Sequence, residues 1–197
     1  MRRYNGFDRN NTYKEQERLP IGGYVLKIMD AKEVEQSWGN QLVISFDIAE
    51  GEYKDFFAKN YRAQQGEDKK WKGVYKLNAP KDDGTEQDNW TKTKFNTVVF
   101  NIEDSNPGYR WDWDERKLKG KLIGALFNNK EYNFNGKHGF YTNCHSLILV
   151  DKIRKGDYKI PDDTLLKSNS SGGSVAPATD KDGFMSIPDG VGEELPF

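Results

Sequence analysis

The chain has 197 residues, and its 30 lysines and arginines nearly balance 31 aspartates and glutamates, giving a formal net charge of −1 at pH 7. This length allows one domain of ordinary size with tails, and 11 Phe, 10 Tyr and 5 Trp argue against a disordered chain. The sequence has no run of membrane-spanning length, no apolar segment near the start that predicts a secretory signal, and only one cysteine, Cys144, so we expect a cytoplasmic protein without a membrane partner or an internal disulfide.

Two alternating runs predict a pair of strands after a polar N-terminal arm, residues 1–20. Apolar side chains occupy every second position in residues 24–29 and again in residues 42–48. The connection between the runs is short and contains Trp38. A short connection favours antiparallel pairing of the two strands.

Residues 53–62 fit two patterns, because Tyr53, Phe57 and Tyr61 have helical spacing while the stretch also alternates as a strand does. Residues that favour β-structure dominate it, so we predict the third strand here. Residues 64–92 then predict a long polar connection, with a turn at Asp82-Asp83-Gly84.

A helix follows, because apolar residues recur at i, i+3, i+4 and i+7 over residues 95–102. Pro107-Gly108 predicts its end. A short second helical turn is predicted from Asp112, with Glu115 three residues later at the spacing of a capping box.

Two further strands are predicted in residues 122–127 and 140–150, followed by an extended segment over residues 157–166. Either Asn128-Asn129 or Asn135-Gly136 forms the turn between them, and Asn-Gly is the stronger signal. The element order predicts a mainly β fold over residues 21–166: a five-stranded Greek-key barrel of the oligonucleotide/oligosaccharide-binding (OB) type, with its helix between strands 3 and 4. Other small α+β folds share this order.

The last 30 residues differ in charge from the body. Residues 168–197 contain five acids and one base, which gives them −4 and leaves +3 on the rest of the chain. A stretch rich in Ser, Gly, Ala and Pro leads to Glu193-Glu194-Leu195-Pro196-Phe197. We interpret residues 167–197 as a flexible linker with a partner-binding tip, whose acids and terminal carboxylate meet basic groups around an apolar pocket. A frayed, solvated terminus is the alternative.

This ending resembles the C-terminal tip of bacterial single-stranded DNA-binding proteins, in which acidic residues precede Ile-Pro-Phe; Leu195 stands here in the place of the usual Ile. The body is similar to phage and mobile-element proteins of that type at residues 51–54, 119–124 and 151–158. The resemblance implies an OB barrel that coats unpaired DNA during replication, recombination or repair in a bacterial host cell. It also implies recruitment of host or phage replication and repair enzymes by the tip. A homo-oligomer remains open.

Nucleic-acid contacts are expected where cations alternate with aromatic residues, because unpaired strands offer phosphate charges and base faces together. In an OB barrel the loops after the first and fourth strands border the binding face. The alternative for these residues is an aromatic core with a solvated lysine rim. The predicted nucleic-acid-binding residues are Trp38, Phe57, Lys59, Tyr61, Arg62, Lys70, Trp71, Lys72, Tyr132, Phe134, Lys137 and Tyr141.

Enzyme motifs are lacking: the sequence has no phosphate-binding loop and no nucleophile elbow, so we expect a binding protein without a cofactor or metal. Cys144 and the two histidines, His138 and His145, do not have the spacing of a metal site. Two alternatives stay open. One is a nuclease that holds Mg²⁺ with Asp112-Trp113-Asp114-Glu115, although a capped helix start explains the same residues more simply. The other is an adaptor that binds only proteins.

Overall fold

The computed structural model of the protein describes residues 18–65, 67–134 and 136–166, together with residues 2, 4, 5 and 7. The strands are β1 Gly22–Gln36, β2 Gly39–Ile48, β3 Val74–Asn78, β4 Leu122–Phe134 and β5 Lys137–Ile148. The helices are α1 Phe56–Ala63, α2 Glu86–Ser105 and α3 Val150–Lys155, with a 3₁₀ turn at Glu115–Leu118. No helix in these ranges is long and apolar enough to cross a membrane.

The five strands form one antiparallel sheet in the order β3-β2-β1-β4-β5. The mainly β class is therefore confirmed, as is a helix between the third and fourth strands. The sheet is open, since within the described ranges no ladder joins β3 to β5. A bulge between Ile28 and Asp30 changes the register along β1, and the backbone of Lys121 and Gly120 bonds to Ile28 beside it.

The core lies between one face of this sheet and the stripe of α2 over residues 95–102, where Phe95, Val98, Val99 and Ile102 are all buried. Alternate residues of β1 and β2 belong to the same core, among them Ile28 and Phe46. The stripe prediction is confirmed. The helix begins earlier than the stripe indicates, because the Thr85 hydroxyl accepts the Asp88 N–H at 3.1 Å and caps it.

The prediction of a strand at residues 53–62 is wrong, because this stretch contains α1. The side chain of Asp55, at the N-cap position, makes no capping hydrogen bond. The buried carboxylate of Asp47, on β2, replaces it by accepting the N–H groups of Phe57 at 2.9 Å and Ala58 at 3.0 Å. The free N–H groups in the first turn of α1 are thus bonded by a residue ten positions upstream of Phe57. No local sequence pattern reveals this contact.

We expect Asp47→Ala to lower the free energy of unfolding by about 1–3 kcal/mol, because it leaves buried N–H donors without acceptors. The measurement is urea denaturation followed by circular dichroism. Glu35→Ala, an exposed acid on β1, is the control and should change the midpoint little. Equal stability of the Asp47 variant and the wild type would contradict this account of α1.

The prediction of one long polar connection over residues 64–92 is also wrong. It contains β3 and the first turns of α2. β3 has only five residues, and two of them, Tyr75 and Leu77, are buried against β2. A five-residue strand with a lysine between its core residues gives little signal among so many polar neighbours.

Smaller differences concern the ends of elements. The 3₁₀ turn begins at Glu115 and is capped by Asp114, whose carboxylate accepts the Arg116 N–H at 3.2 Å, rather than by the predicted Asp112. The pairing of β4 with β5 continues to Phe134 and Lys137, so Asn128 and Asn129 lie within β4 and are not the turn. The predicted strand at residues 140–150 ends at Ile148, and α3 follows it.

Candidate nucleic-acid interface

The last two strands extend beyond the rest of the sheet. β1 pairs with β4 only as far as Phe127, the partner of Gly22. Past that point β4 pairs with β5, and its other edge meets only a short parallel bridge at Thr164 within the described ranges. We call residues 128–134 and 137–143 the hairpin extension.

One face of the hairpin extension collects aromatic and cationic side chains. Opposed residues in an antiparallel pair share a face, as do residues two apart on one strand. The register places Lys130 opposite Tyr141, Tyr132 opposite Gly139, and Phe134 opposite Lys137. The four predicted residues Tyr132, Phe134, Lys137 and Tyr141 therefore lie together, and Lys130 joins them. We call these five residues the aromatic face.

The two tyrosine rings of the aromatic face contact each other, and all three rings of this face remain accessible. The centroids of Tyr132 and Tyr141 are 6.4 Å apart, with ring planes at 46°. Gly139 leaves room for the Tyr132 ring, since a Cβ there would lie 3.1 Å from its hydroxyl oxygen. Both tyrosines are half-buried, and Phe134 at the end of β4 is 51% exposed. Flat apolar surface beside lysine ammonium groups suits a base and its phosphate.

The base of the hairpin extension is held by segments from both ends of the folded region. Arg18 donates from Nε to the Thr142 hydroxyl at 3.0 Å. On the other edge, Thr164 donates its N–H to the Asn129 carbonyl at 2.8 Å, and Glu131 donates to the Thr164 carbonyl at 2.9 Å. The buried Asn128 amide also donates to the Asp162 carbonyl at 2.7 Å. These bonds hold the hairpin extension in one arrangement, and a preorganised surface loses less entropy on binding a ligand than a flexible one.

The opposite face of the hairpin extension contains a contact between an acidic side chain and an imidazole. The Glu131 carboxylate contacts the His138 imidazole and accepts the Leu166 N–H at 2.8 Å. The His138 contact, and after it the Leu166 N–H, hold the pKa of Glu131 below its ordinary value of 4.5. The carboxylate therefore attaches the start of the C-terminal segment to the hairpin extension.

This attachment should weaken in acid. Because the pKa of Glu131 is lower in the folded state, its contribution to stability is present above about pH 4.5 and is lost as the pH falls through the folded value. We expect exchange of the Leu166 amide hydrogen, corrected for its intrinsic pH dependence, to become less protected across that window. Glu131→Gln is the control and should remove the pH dependence of protection. A wild-type profile that matches the variant would contradict the assignment.

A second aromatic pair links α1 to the segment before β3. Tyr61 and Trp71 have ring centroids 5.8 Å apart. Trp71 is half-buried, because its Nε1–H donates to the carbonyls of Phe46 at 3.2 Å and Gly73 at 3.0 Å. The Gln64 side chain bonds both the N–H and the C=O of Lys70 at 2.8 Å. The predicted cations Lys59 and Arg62 on α1, and Lys70 and Lys72 in the segment before β3, are all exposed.

Phe57 does not belong to this surface. Its ring is buried and lies edge-on to Phe46, with centroids 5.4 Å apart. We therefore replace its predicted nucleic-acid contact with a role in packing. Trp38 lies in the two-residue turn between β1 and β2 and is 42% exposed. The predicted tip residues Glu193, Glu194, Leu195, Pro196 and Phe197 lie outside the described residues.

Sequence reasoning missed Lys130, although the signal was present. It lies two residues before Tyr132 on the same strand, so alternation places the two on one face. The prediction of β4 as ending at Phe127 removed Lys130 from that pattern.

Two of the three carboxylates of the alternative nuclease site form ion pairs. Asp112 contacts the Lys117 ammonium, and Asp114 binds Arg116 Nε at 2.8 Å. Throughout the described ranges, no group of three or more His, Cys, Asp or Glu residues is placed to hold a metal ion. Burial raises the pKa of the Cys144 thiol, which disfavours the reactive thiolate.

Comparison of the chain with models of known protein families gives no match, and comparison with curated proteins gives no significant match.

Proposed function

We propose that the protein binds single-stranded DNA and that the aromatic face of the hairpin extension is a main contact surface. The observation that carries the proposal is the register of β4 and β5, which aligns three aromatic rings with Lys130 and Lys137. Stacking on such rings tolerates any base, and lysines supply the salt-sensitive attraction to phosphate. The mechanism is occupancy of the strand without catalysis.

The fold supports this proposal. An OB barrel orders its strands as β3-β2-β1-β4-β5, with a helix between the third and fourth, and α2 occupies that place. We propose that the open sheet approximates such a barrel, with β3 and β5 as the strands that approach each other. The hairpin extension then corresponds to the loop between strands 4 and 5, which borders the binding face of OB domains.

The proposed biological role rests on the resemblance of the C-terminal tip and of the body to single-stranded DNA-binding proteins. We propose that the protein coats unpaired DNA during phage or mobile-element replication or recombination, in the cytoplasm of the bacterial host. Residues 193–197 would recruit partner enzymes, with Glu193 and Glu194 guiding approach and Phe197 filling an apolar pocket. The acidic and apolar composition of this tip supports the proposal.

The test is a titration of intrinsic tryptophan fluorescence with oligo-dT, repeated with duplex DNA and at rising salt. We expect strong quenching by the single strand, little by the duplex, and weakening with salt. A wild-type protein that responds to neither DNA would overturn the proposal and favour a protein-only adaptor. Degradation of the oligonucleotide in Mg²⁺ would favour the nuclease.

We also expect the acidic tail to compete with DNA, because it is tethered to a more basic body at a high effective concentration. Deletion of residues 168–197 should tighten oligo-dT binding several-fold at low salt and have little effect at high salt. The measurement is fluorescence anisotropy at several salt concentrations. A variant in which the tail acids alone are replaced by Asn and Gln is the matched control. Unchanged affinity of both variants at all salt concentrations would refute the competition.

A further inference from the structure

The loop between α2 and β4 presents an exposed aromatic ring outside the hairpin extension. Trp113 is 77% exposed, the largest exposed fraction among the described large hydrophobic residues. Its φ of +65° lies in the left-handed region, which a bulky side chain rarely occupies. Such strain persists only where the surroundings hold it, and it is often associated with a functional role.

Two aromatic neighbours hold the orientation of the Trp113 ring. The ring stacks on Phe95 of α2 with planes only 9° apart and centroids 6.2 Å apart. Trp111 lies beside it, with centroids 6.1 Å apart and planes at 59°. Phe95 is itself buried in the core. A parallel stack on a buried ring leaves the outer surface of the indole as a flat platform.

The backbone around the platform is also fixed. The Trp111 N–H donates to Glu103 Oε1 at 2.8 Å, which ties the loop to α2. Asp112 and Lys117 form an ion pair across the loop, and Asp114 caps the following 3₁₀ turn. These contacts maintain the strained conformation of Trp113 without a ligand.

In two of the ion pairs close to Trp113 in the sequence, the cation is more exposed to solvent than its acidic partner. The Arg110 side chain is 74% exposed while its partner Glu103 is 12% exposed, and the Arg116 side chain is 82% exposed while Asp114 is 26% exposed. The formal charges nearly balance, yet the groups that reach furthest into solvent are guanidinium groups. Guanidinium groups bind phosphate oxygens and are well suited to nucleic acid.

We propose that Trp113 is a second stacking platform for a base of the unpaired strand, with Arg110 and Arg116 meeting the neighbouring phosphates. The ligand class rests on the proposed function, whereas the site is separate from the hairpin extension. A protein partner fits less well, because one exposed ring surrounded by charged groups is not the contiguous apolar patch that protein interfaces use at their centre.

The test variant is Trp113→Gly, because glycine adopts φ of +65° without strain and the backbone is expected to keep its conformation. We expect about tenfold weaker binding of a long oligo-dT by anisotropy, the loss expected for one stacked base. Trp113→Phe should bind with nearly wild-type affinity because it retains a ring. Phe100→Ala, which removes another exposed aromatic residue, on α2, is the matched control and should bind like the wild type.

The outcomes separate this site from the proposed function. If wild-type protein binds oligo-dT and Trp113→Gly, with an unchanged denaturation midpoint, binds equally well, the second platform is refuted while the function stands. An equal loss of affinity in Phe100→Ala also refutes it. If wild-type protein binds no oligonucleotide, the proposed function fails and this site fails with it. A reduced salt slope in Arg110→Gln with Arg116→Gln would support the phosphate contacts, and an unchanged slope would refute them.

Discussion

Replacement of Tyr132 and Tyr141 together by alanine is expected to lower the affinity for oligo-dT about a hundredfold. Each stacked base contributes about 1–3 kcal/mol, so the loss of two stacks at about 1.4 kcal/mol each corresponds to two factors of ten. The rings lie 6.4 Å apart on one face, which allows them to hold neighbouring bases of a single strand. Fluorescence anisotropy of labelled oligo-dT at low salt is the measurement.

The opposite face of the same strands provides the control. Phe140 is 40% exposed and pairs with Glu131 across the ladder, so it lies away from the two tyrosines. Phe140→Ala should leave DNA affinity nearly unchanged. Lys130→Gln with Lys137→Gln should reduce the slope of log affinity against log salt by about 0.7 for each phosphate that the protein no longer neutralises. Equal reductions in affinity in the tyrosine and Phe140 variants would refute a one-sided platform.

Local sequence pattern could predict the elements with a long, regular apolar period. Every second residue of β2 over residues 42–48 is apolar and buried, and the apolar stripe of α2 covers two full turns, so both periods are recognisable in a polar sequence. The Asn-Gly signal also indicated the turn between β4 and β5 better than Asn128-Asn129 did. Apolar periodicity reports burial, and these elements bury one continuous face.

The features that pattern could not predict depend on contacts between distant residues. Residues 53–62 satisfy both periods, and the choice of helix follows from the Asp47 carboxylate bound to the start of α1. The Tyr61–Trp71 pair depends on a loop closed by Gln64 and on the indole bonded to β2. Tertiary contacts decide the outcome where local preferences are balanced.

The candidate binding residues also fall into those that local sequence could predict and those that it could not. The aromatic face could be predicted, because once the turn is known a hairpin register follows from counting residues outward in steps of two. Trp113 could not be assigned in this way. Its exposure results from a left-handed backbone and a stack on Phe95, and neither has a signature in the sequence around Asp112 and Asp114.

Gly73→Ala is expected to reduce stability by about 3 kcal/mol or more, in the upper range for overpacking of a core. Gly73 precedes β3 and places no side chain where two strands approach each other. A Cβ there would overlap the Phe46 carbonyl oxygen and lie 2.9 Å from the Phe57 ring. The backbone cannot move away easily, because the Phe46 N–H donates to the Gly73 carbonyl at 2.8 Å.

The same substitution should also affect the surface of the molecule. The Trp71 indole donates to the carbonyls of Phe46 and Gly73, so separation of these two residues removes its acceptors and releases the Tyr61–Trp71 pair. Urea denaturation should show the loss of stability, and the tryptophan emission of the folded variant should shift towards longer wavelength as Trp71 gains solvent. Gly84→Ala is the matched control, since a Cβ there meets nothing within 4 Å and its cost is limited to a positive φ. Equal midpoints for the two alanine variants would mean that β2 and the segment before β3 are not packed closely at Gly73. That result would also contradict the hydrogen bonds that place Trp71.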